Sequence, residues 1–287
     1  MLAVQLFVNG LLLGGTYVLI AQSLNLIFGV MGVVNLAHGS FIVMAGLFTA
    51  WFTHAYSVSP LLLLPLVFIV VFIVGAVLQP ILLEPLVKYG RRAELLSLMV
   101  TFGLNYVLIE VALQVFGSNY VSLPYLQGVW TVHGVTVSQA LFVSGVLGGL
   151  IAALLHLGLN RTTFGKSLLA AAQSEVGAVS CGIDVRRMRL AAFAVGVGLA
   201  SAAGTLLVLV LPMAAESADE LTILAFVIIA LGGLGNYRGV AIAALLLGLA
   251  QSAVGFFIGG DAETVLPYIL LIGFMAARPQ RFLRPAR

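Results

Sequence analysis

The chain has 287 residues, of which 62% are hydrophobic and only 8% charged, with a mean hydropathy of +1.17. A soluble domain carries roughly 25% charged residues, so this composition excludes one and indicates an all-α polytopic membrane protein. The net charge of +3 sits in loops between apolar runs, where it orients the chain in a bilayer and does not point to nucleic acid.

No Asp, Glu, Lys or Arg occurs before Glu84, and none between Glu110 and Arg161. Each run exceeds the ~20 residues that one helix needs to cross the hydrocarbon, so each holds several crossings. The runs do not alternate at period two, which argues against a barrel. The single cysteine, Cys181, excludes an intramolecular disulfide and a multi-Cys metal site. No Lys or Arg precedes the first apolar run, the opposite of a cleaved signal peptide.

The first span is expected from about Val4 to Phe28. Gln5, Asn9, Thr16 and Ser23 fall on one of its faces, suited either to interhelical hydrogen bonds or to lining a pathway. Gly10 and Gly14 form a small-xxx-small pair that admits a neighbouring helix. Next, GVMGVVNLAHGSF places Gly29, Gly32, Asn35, His38, Gly39 and Ser40 at the start of the second span. Such a stretch predicts a bent or broken helix, tolerated only inside protein or along a cavity. Asn35 and His38 share a helical face there, and Gly32 and Gly39 are expected to leave room for a cavity beside them.

A third span is expected over roughly Pro60 to Leu83. The basic turn holding Lys88, Arg91 and Arg92 is cytoplasmic by the positive-inside rule. In the fourth span, Leu95 to Phe116, Tyr106, Glu110 and Gln114 share a face, and Glu110 lies close enough to the outer end to snorkel. Ser118 to Val137 reads as an external loop with interfacial aromatics.

The fifth span, Gln139 to Leu159, leads into the one long basic polar stretch, residues 161–189. Its middle predicts a short helix, Ser167 to Ser180, stopped by Gly182. That helix suits either a groove on a cytoplasmic partner or the lipid headgroups. A Gly- and Ala-rich sixth span runs from Leu190 to Leu211. Glu216, Asp219 and Glu220 then read as an acidic outside turn. A short seventh span ends in LGGLGNYRG, and an eighth reaches Ile258. After a turn with Asp261 and Glu263, a ninth reaches Ala277, before a tail with four arginines. Alternating sides gives about nine crossings (eight to ten), the N-terminus outside. The Gly spacing of the first and sixth spans, which run in opposite directions, suggests an inverted repeat with a pathway near its interface.

Catalytic motifs find no support. FGKS at Phe164 to Ser167 ends like a P-loop, yet Asn160 stands where the motif needs glycine. No HExxH or GxSxG occurs, and the four histidines form no ligand cluster. A secondary carrier would need more polar groups at mid-membrane, and an intramembrane enzyme a nucleophile–base pair. No cofactor or metal is called for.

Four blocks carry a family resemblance: NGLLLGGTYVLIAQSLNLIFGVMGVVNLAHG, RTTFGKSLLAAAQSEVGAVSCGIDV, AFVIIALGGLGNYRGVAIAALLLG and the terminal RPQ. Nearly end to end, the chain resembles the first-type permease subunit of branched-chain amino acid ABC importers. The resemblance implies one permease domain over 1–287 with the type II importer transmembrane fold, in a bacterial inner membrane. Its implied partners are a second related permease, two cytoplasmic ATP-binding subunits and a periplasmic substrate-binding protein. By matching position, Ala172, Gln173, Glu175, Gly182 and Ile183 would belong to the coupling helix seated in an ATPase. Asn35, His38 and Gly39 match the NxAHG element near the transport pathway, which Asn9, Thr16 and Ser40 would join. Ser40 departs from the pattern, which usually carries an acid there, and QSEVGA replaces QDxEAA in the coupling stretch. These departures bear on the substrate, since relatives also serve urea and short amides.

Overall fold

The structure is a computed structural model that describes residues 2–132 and 134–277. The arginine-rich tail from Arg278 onward lies outside the described residues. Eleven helices and one short hairpin are described in chain order. The apolar runs become α1 (Leu2–Met31), α2 (His38–Tyr56), α3 (Pro60–Leu78), α4 (Ala93–Phe116) and α5 (Gln139–Arg161). After the polar stretch that follows α5 come α8 (Val185–Leu207), α9 (Ser217–Gly232), α10 (Tyr237–Phe257) and α11 (Gly260–Ala277). Six of these, α1, α3, α4, α5, α8 and α10, are long and apolar enough to cross a membrane.

A helix that is hydrophobic all round belongs in the middle of a bundle, and α1 and α8 occupy it. From Gly14 to Leu26 every residue of α1 is buried, and so is every residue of α8 from Gly196 to Leu207. Around this pair, α1 packs on α10 and α5, while α8 packs on α3 and α2. The small-xxx-small pair works as expected. A β-carbon at Gly10 would stand 2.7 Å from the Leu249 Cα of α10, and one at Gly14 would stand 2.9 Å from the Leu245 Cα. Large apolar side chains such as Ile69, Ile73, Met99 and Val107 remain exposed on the periphery.

Three expectations are corrected. The external loop after α4 is not wholly irregular, for β1 (Val129–Val132) and β2 (Val135–Ser138) pair antiparallel within it. The single helix expected over Ser167 to Ser180 is two, α6 (Thr163–Gln173) and α7 (Glu175–Ser180). Ser174, extended at φ −158° and ψ 113°, separates them because its side chain caps α7. The acids of the presumed outside turn after α8 are also partly helical: Asp219 and Glu220 lie in the first turn of α9.

The two helix starts at α2 and α9 position the candidate site. Past α1, Gly32 turns the chain at φ +63°, and an extended stretch returns along α4, where the Leu36 amide donates to Thr101 Oγ1 at 3.2 Å. Thr101 lies eight residues beyond the start of α4, about 12 Å along its axis. So α2 begins well within the thickness of the bundle. Past α8, Met213 pairs with Val121 through both backbone bonds, at 2.8 and 2.9 Å. The chain then turns back, and the first turns of α9 and α2 meet: the Gly39 amide donates to Thr222 Oγ1 at 2.8 Å.

Overpacking the α1–α10 contact should destabilise the subunit. Gly14→Leu is expected to cost about 1–3 kcal/mol and lower the thermal midpoint of the purified protein. Gly149→Leu, where a β-carbon meets nothing within 4 Å, should melt like the unaltered chain.

Candidate functional site

Two groups of polar side chains stand out, one where α2 and α9 begin and one beneath the bundle at the loop of α6 and α7. In the first, His38 Nε2 lies 3.2 Å from both Ser23 Oγ and the Ile20 carbonyl, tying α2 to α1. That geometry fits a neutral ring with its proton on Nε2. Asn35 Oδ1 accepts from the Ala37 amide at 3.1 Å, an Asx turn that starts α2. Thr222 Oγ1 donates in turn to the Ala218 carbonyl at 2.9 Å. Ser40 Oγ donates to Asn105 Oδ1 of α4, and Asn105 Nδ2 donates to Asp219 Oδ1 at 2.9 Å.

Of the residues expected along a pathway, Asn35, His38, Gly39 and Ser40 come together in this junction, all buried. Asn9 and Thr16 do not join it. Thr16 is buried against Gly148 of α5, and Asn9 is half-buried. The room expected beside Gly39 is filled, because a β-carbon there would collide with the Ala218 carbonyl. Sequence reasoning missed Asn105 and Asp219. Asn105 was legible as an amide midway along an apolar span, whereas Asp219 was masked by the neighbouring acids Glu216 and Glu220.

At the α6–α7 end of the bundle, three caps shape the stretch between α5 and α8. Thr162 accepts from the Gly165 amide at 2.9 Å, Ser174 from Gly177 at 3.1 Å, and Asp184 from Arg187 at 3.1 Å. Gly182 stops α7 at φ +77°, while the Ile183 amide reaches back to the Ala178 carbonyl at 3.0 Å. Leu168 and Ala171 of α6 share one apolar cluster with Leu26 and Val30 of α1, on which α6 packs, and α7, with Ala178 in the same cluster, packs on α6. Of the expected coupling residues, Ala172, Gln173, Glu175 and Gly182 are exposed and Ile183 is half-buried. Beside them Val176 is 79% exposed, an apolar group left uncovered on α7.

One arginine ties this stretch to the bundle. Arg189, in the second turn of α8, pairs with Glu84 through Nη2–Oε1 at 2.8 Å and Nε–Oε2 at 3.3 Å. Its Nη1 binds Glu175 Oε1 of α7 at 2.9 Å, and Gln79 holds the second oxygen of Glu84 at 2.8 Å. The two-pronged Arg189–Glu84 pair is largely shielded, its side chains 11% and 12% exposed; a fork of this kind fixes geometry as well as charge. The sequence showed these residues only as orientation signals, and their spacing of 105 residues gave no hint of contact. Arg189 and Glu175 border a cleft of about 350 Å³ with Val30, Met31, Leu83 and Glu94.

Helices long enough to span a bilayer, helix starts within the bundle and a helical loop with a bare apolar face define a multi-pass transport permease. Residues 6–275 match the family described as the branched-chain amino acid transport system / permease component, and the chain belongs to that family. It is 26% identical to the probable branched-chain amino acid transport permease protein LivH of Methanocaldococcus jannaschii, over 91% of this chain and 86% of that one. Identity is also 26% to BraD of Pseudomonas aeruginosa, a high-affinity branched-chain amino acid transport system permease protein, over 97% and 95% of the two chains. To LivM of Escherichia coli, another permease protein of such a system, it is 24%, over 94% of this chain and 68% of that one. No solved structure matches the chain.

Removing the arginine fork should loosen the stretch between α5 and α8. Arg189→Gln leaves the shielded Glu84 without its partner, a change expected to cost about 2–4 kcal/mol. Amide exchange over residues 174–184 should then accelerate while that of α1 stays slow.

Proposed function

We propose that this chain is the permease subunit of an ATP-driven ABC importer, forming half of a translocation pathway for branched-chain or related aliphatic amino acids. The observation that carries the reading is the family match over residues 6–275, joined to a capped two-helix loop on which Val176 and Gln173 are exposed. In this reading the loop over 161–189 seats in one of two ATP-binding subunits. The exposed residues Ala172, Gln173, Glu175 and Gly182, with Ile183, form or shape the contact. ATP is hydrolysed by those subunits, a periplasmic binding protein delivers the substrate, and a second related permease completes the pathway. The likeness to LivM supports such a second chain.

The membrane arrangement follows from the same reading. Nine crossings in an inner membrane place the N-terminus outside and the basic loops inside, by the positive-inside rule. An inverted repeat is supported by the packing, in which α1 against α10 is mirrored by α8 against α3, and α2 and α9 begin at one junction. Asn35, His38, Gly39 and Ser40 then serve the pathway by holding the backbone that forms its wall. Asn9 and Thr16 belong to the α1 face above it.

Two outcomes test this reading. Cys181, exposed beside Gly182, should react with a membrane-impermeant maleimide only when the cytoplasmic face is opened. Gly182→Leu forces a side chain into a left-handed conformation, at about 1 kcal/mol or more. The complex reconstituted with its ATPases should then lose most substrate-stimulated ATP hydrolysis while the permease still inserts; hydrolysis at the unaltered level would remove the loop from coupling.

A further inference from the structure

The carboxylate of Asp219 stands where charge is rare in a membrane protein. Its partner Asn105 is twelve residues beyond the first residue of α4, in a helix of 24 residues, so the pair lies about 18 Å along that helix. Asn105 is 2% exposed, whereas Asp219 is exposed. The 2.9 Å bond between them therefore anchors the acid to the packed interior and leaves its other oxygen on an open face. Ionisable groups at such depth face a hydrated cavity or a partner charge. Non-helical backbone, which precedes both α2 and α9 here, is tolerated only inside protein or along such a cavity. Two buried groups of the same junction, His38 Nδ1 and Asn35 Nδ2, lack a partner among the described protein atoms, as groups bonded to water or solute do.

The surroundings define what could be taken. Phe102 and Tyr106 are exposed on α4, three residues before Asn105 and one after it. Leu221 is half-buried on α9, and α11 packs against α9. The first turns of two helices bring partial positive charge to the same place. An anion, two positive helix ends and apolar or aromatic walls complement a zwitterion with an aliphatic side chain. We propose that Asp219 is a substrate-contacting residue of the pathway that takes the ammonium group of the amino acid, with Asn105 as its positioning residue. This rests on the reading of the chain as an amino acid permease and names one contact within it.

The test uses the complete complex with its ATPases and binding protein in liposomes, with leucine as the probe. Asp219→Asn preserves the acceptor for Asn105 and removes the charge. Leucine uptake per ATP hydrolysed should fall about tenfold or more, as loss of a hydrogen bond to a charged group predicts. Asp219→Glu should stay within about threefold of the unaltered complex, since it keeps the charge. Uptake by Asp219→Asn at the unaltered level overturns the inference alone, leaving the permease reading in place. Failure of Asp219→Asn to assemble, with Asp219→Glu assembling, would also overturn it, making the carboxylate a structural tie. An unaltered complex that imports an uncharged amide and ignores leucine would overturn the substrate reading and this contact together.

Discussion

A backbone amide or carbonyl left bare inside a bilayer costs several kcal/mol, and this fold is arranged around two places where a helix starts below the surface of the bundle. At α2 the Asn35 side chain takes the Ala37 amide, Thr101 takes the Leu36 amide and Thr222 takes the Gly39 amide. Position 39 must be glycine because the Ala218 carbonyl occupies the space of a side chain. Thr222 serves both helices, accepting from α2 and donating within α9. The requirement to satisfy backbone groups thus brings the starts of α2 and α9 together and collects the polar residues of several helices in one junction.

α1 links that junction to the loop of α6 and α7. Ile20 and Ser23 hold His38 at the start of α2, and Leu26 and Val30, one or two turns further along, carry α6, on which α7 packs. Arg189 makes a second tie, joining α7 to Glu84 at the end of the α3 arm. A displacement of α7 by a bound subunit would therefore meet two rigid elements, the inner end of α1 and the segment around Glu84. The same helix that carries the loop also holds the polar junction, so the two are joined through packing.

Much of the helical layout was legible because apolar runs longer than a bilayer permit few alternatives. A close helix contact on α1 could be read from Gly10 and Gly14, though not that α10 makes it, and the break before α2 from Gly32, Asn35 and Gly39. The stop at Gly182 followed from its place after an Ala-rich helix. What was hidden depends on partners distant in sequence. Ser174 looked like an interior helix residue until its side chain was seen to cap the next helix, and the hairpin of β1 and β2 is too short to announce itself. Asp219 and Arg189 resembled charges of ordinary turns, and only folding set one against Asn105 and the other against Glu84. The setting of Asn35 and His38 was likewise hidden, since a polar pair at a helix break reads the same whether it lines a cavity or closes a joint.

The central claim is that α9 begins below the membrane surface beside water. Reactivity of single cysteines tests it most directly, because a thiol forms its reactive thiolate in water and not in lipid. In a Cys181→Ser background, Glu216→Cys and Glu220→Cys replace exposed residues before and within the first turn of α9, while Ile69→Cys on α3 marks an exposed apolar face. The account predicts fast reaction of both α9 positions with a charged, membrane-impermeant thiol reagent in the assembled complex, and none at position 69. Equal silence at position 220 and position 69 would contradict it, placing the start of α9 against lipid or a dry partner surface.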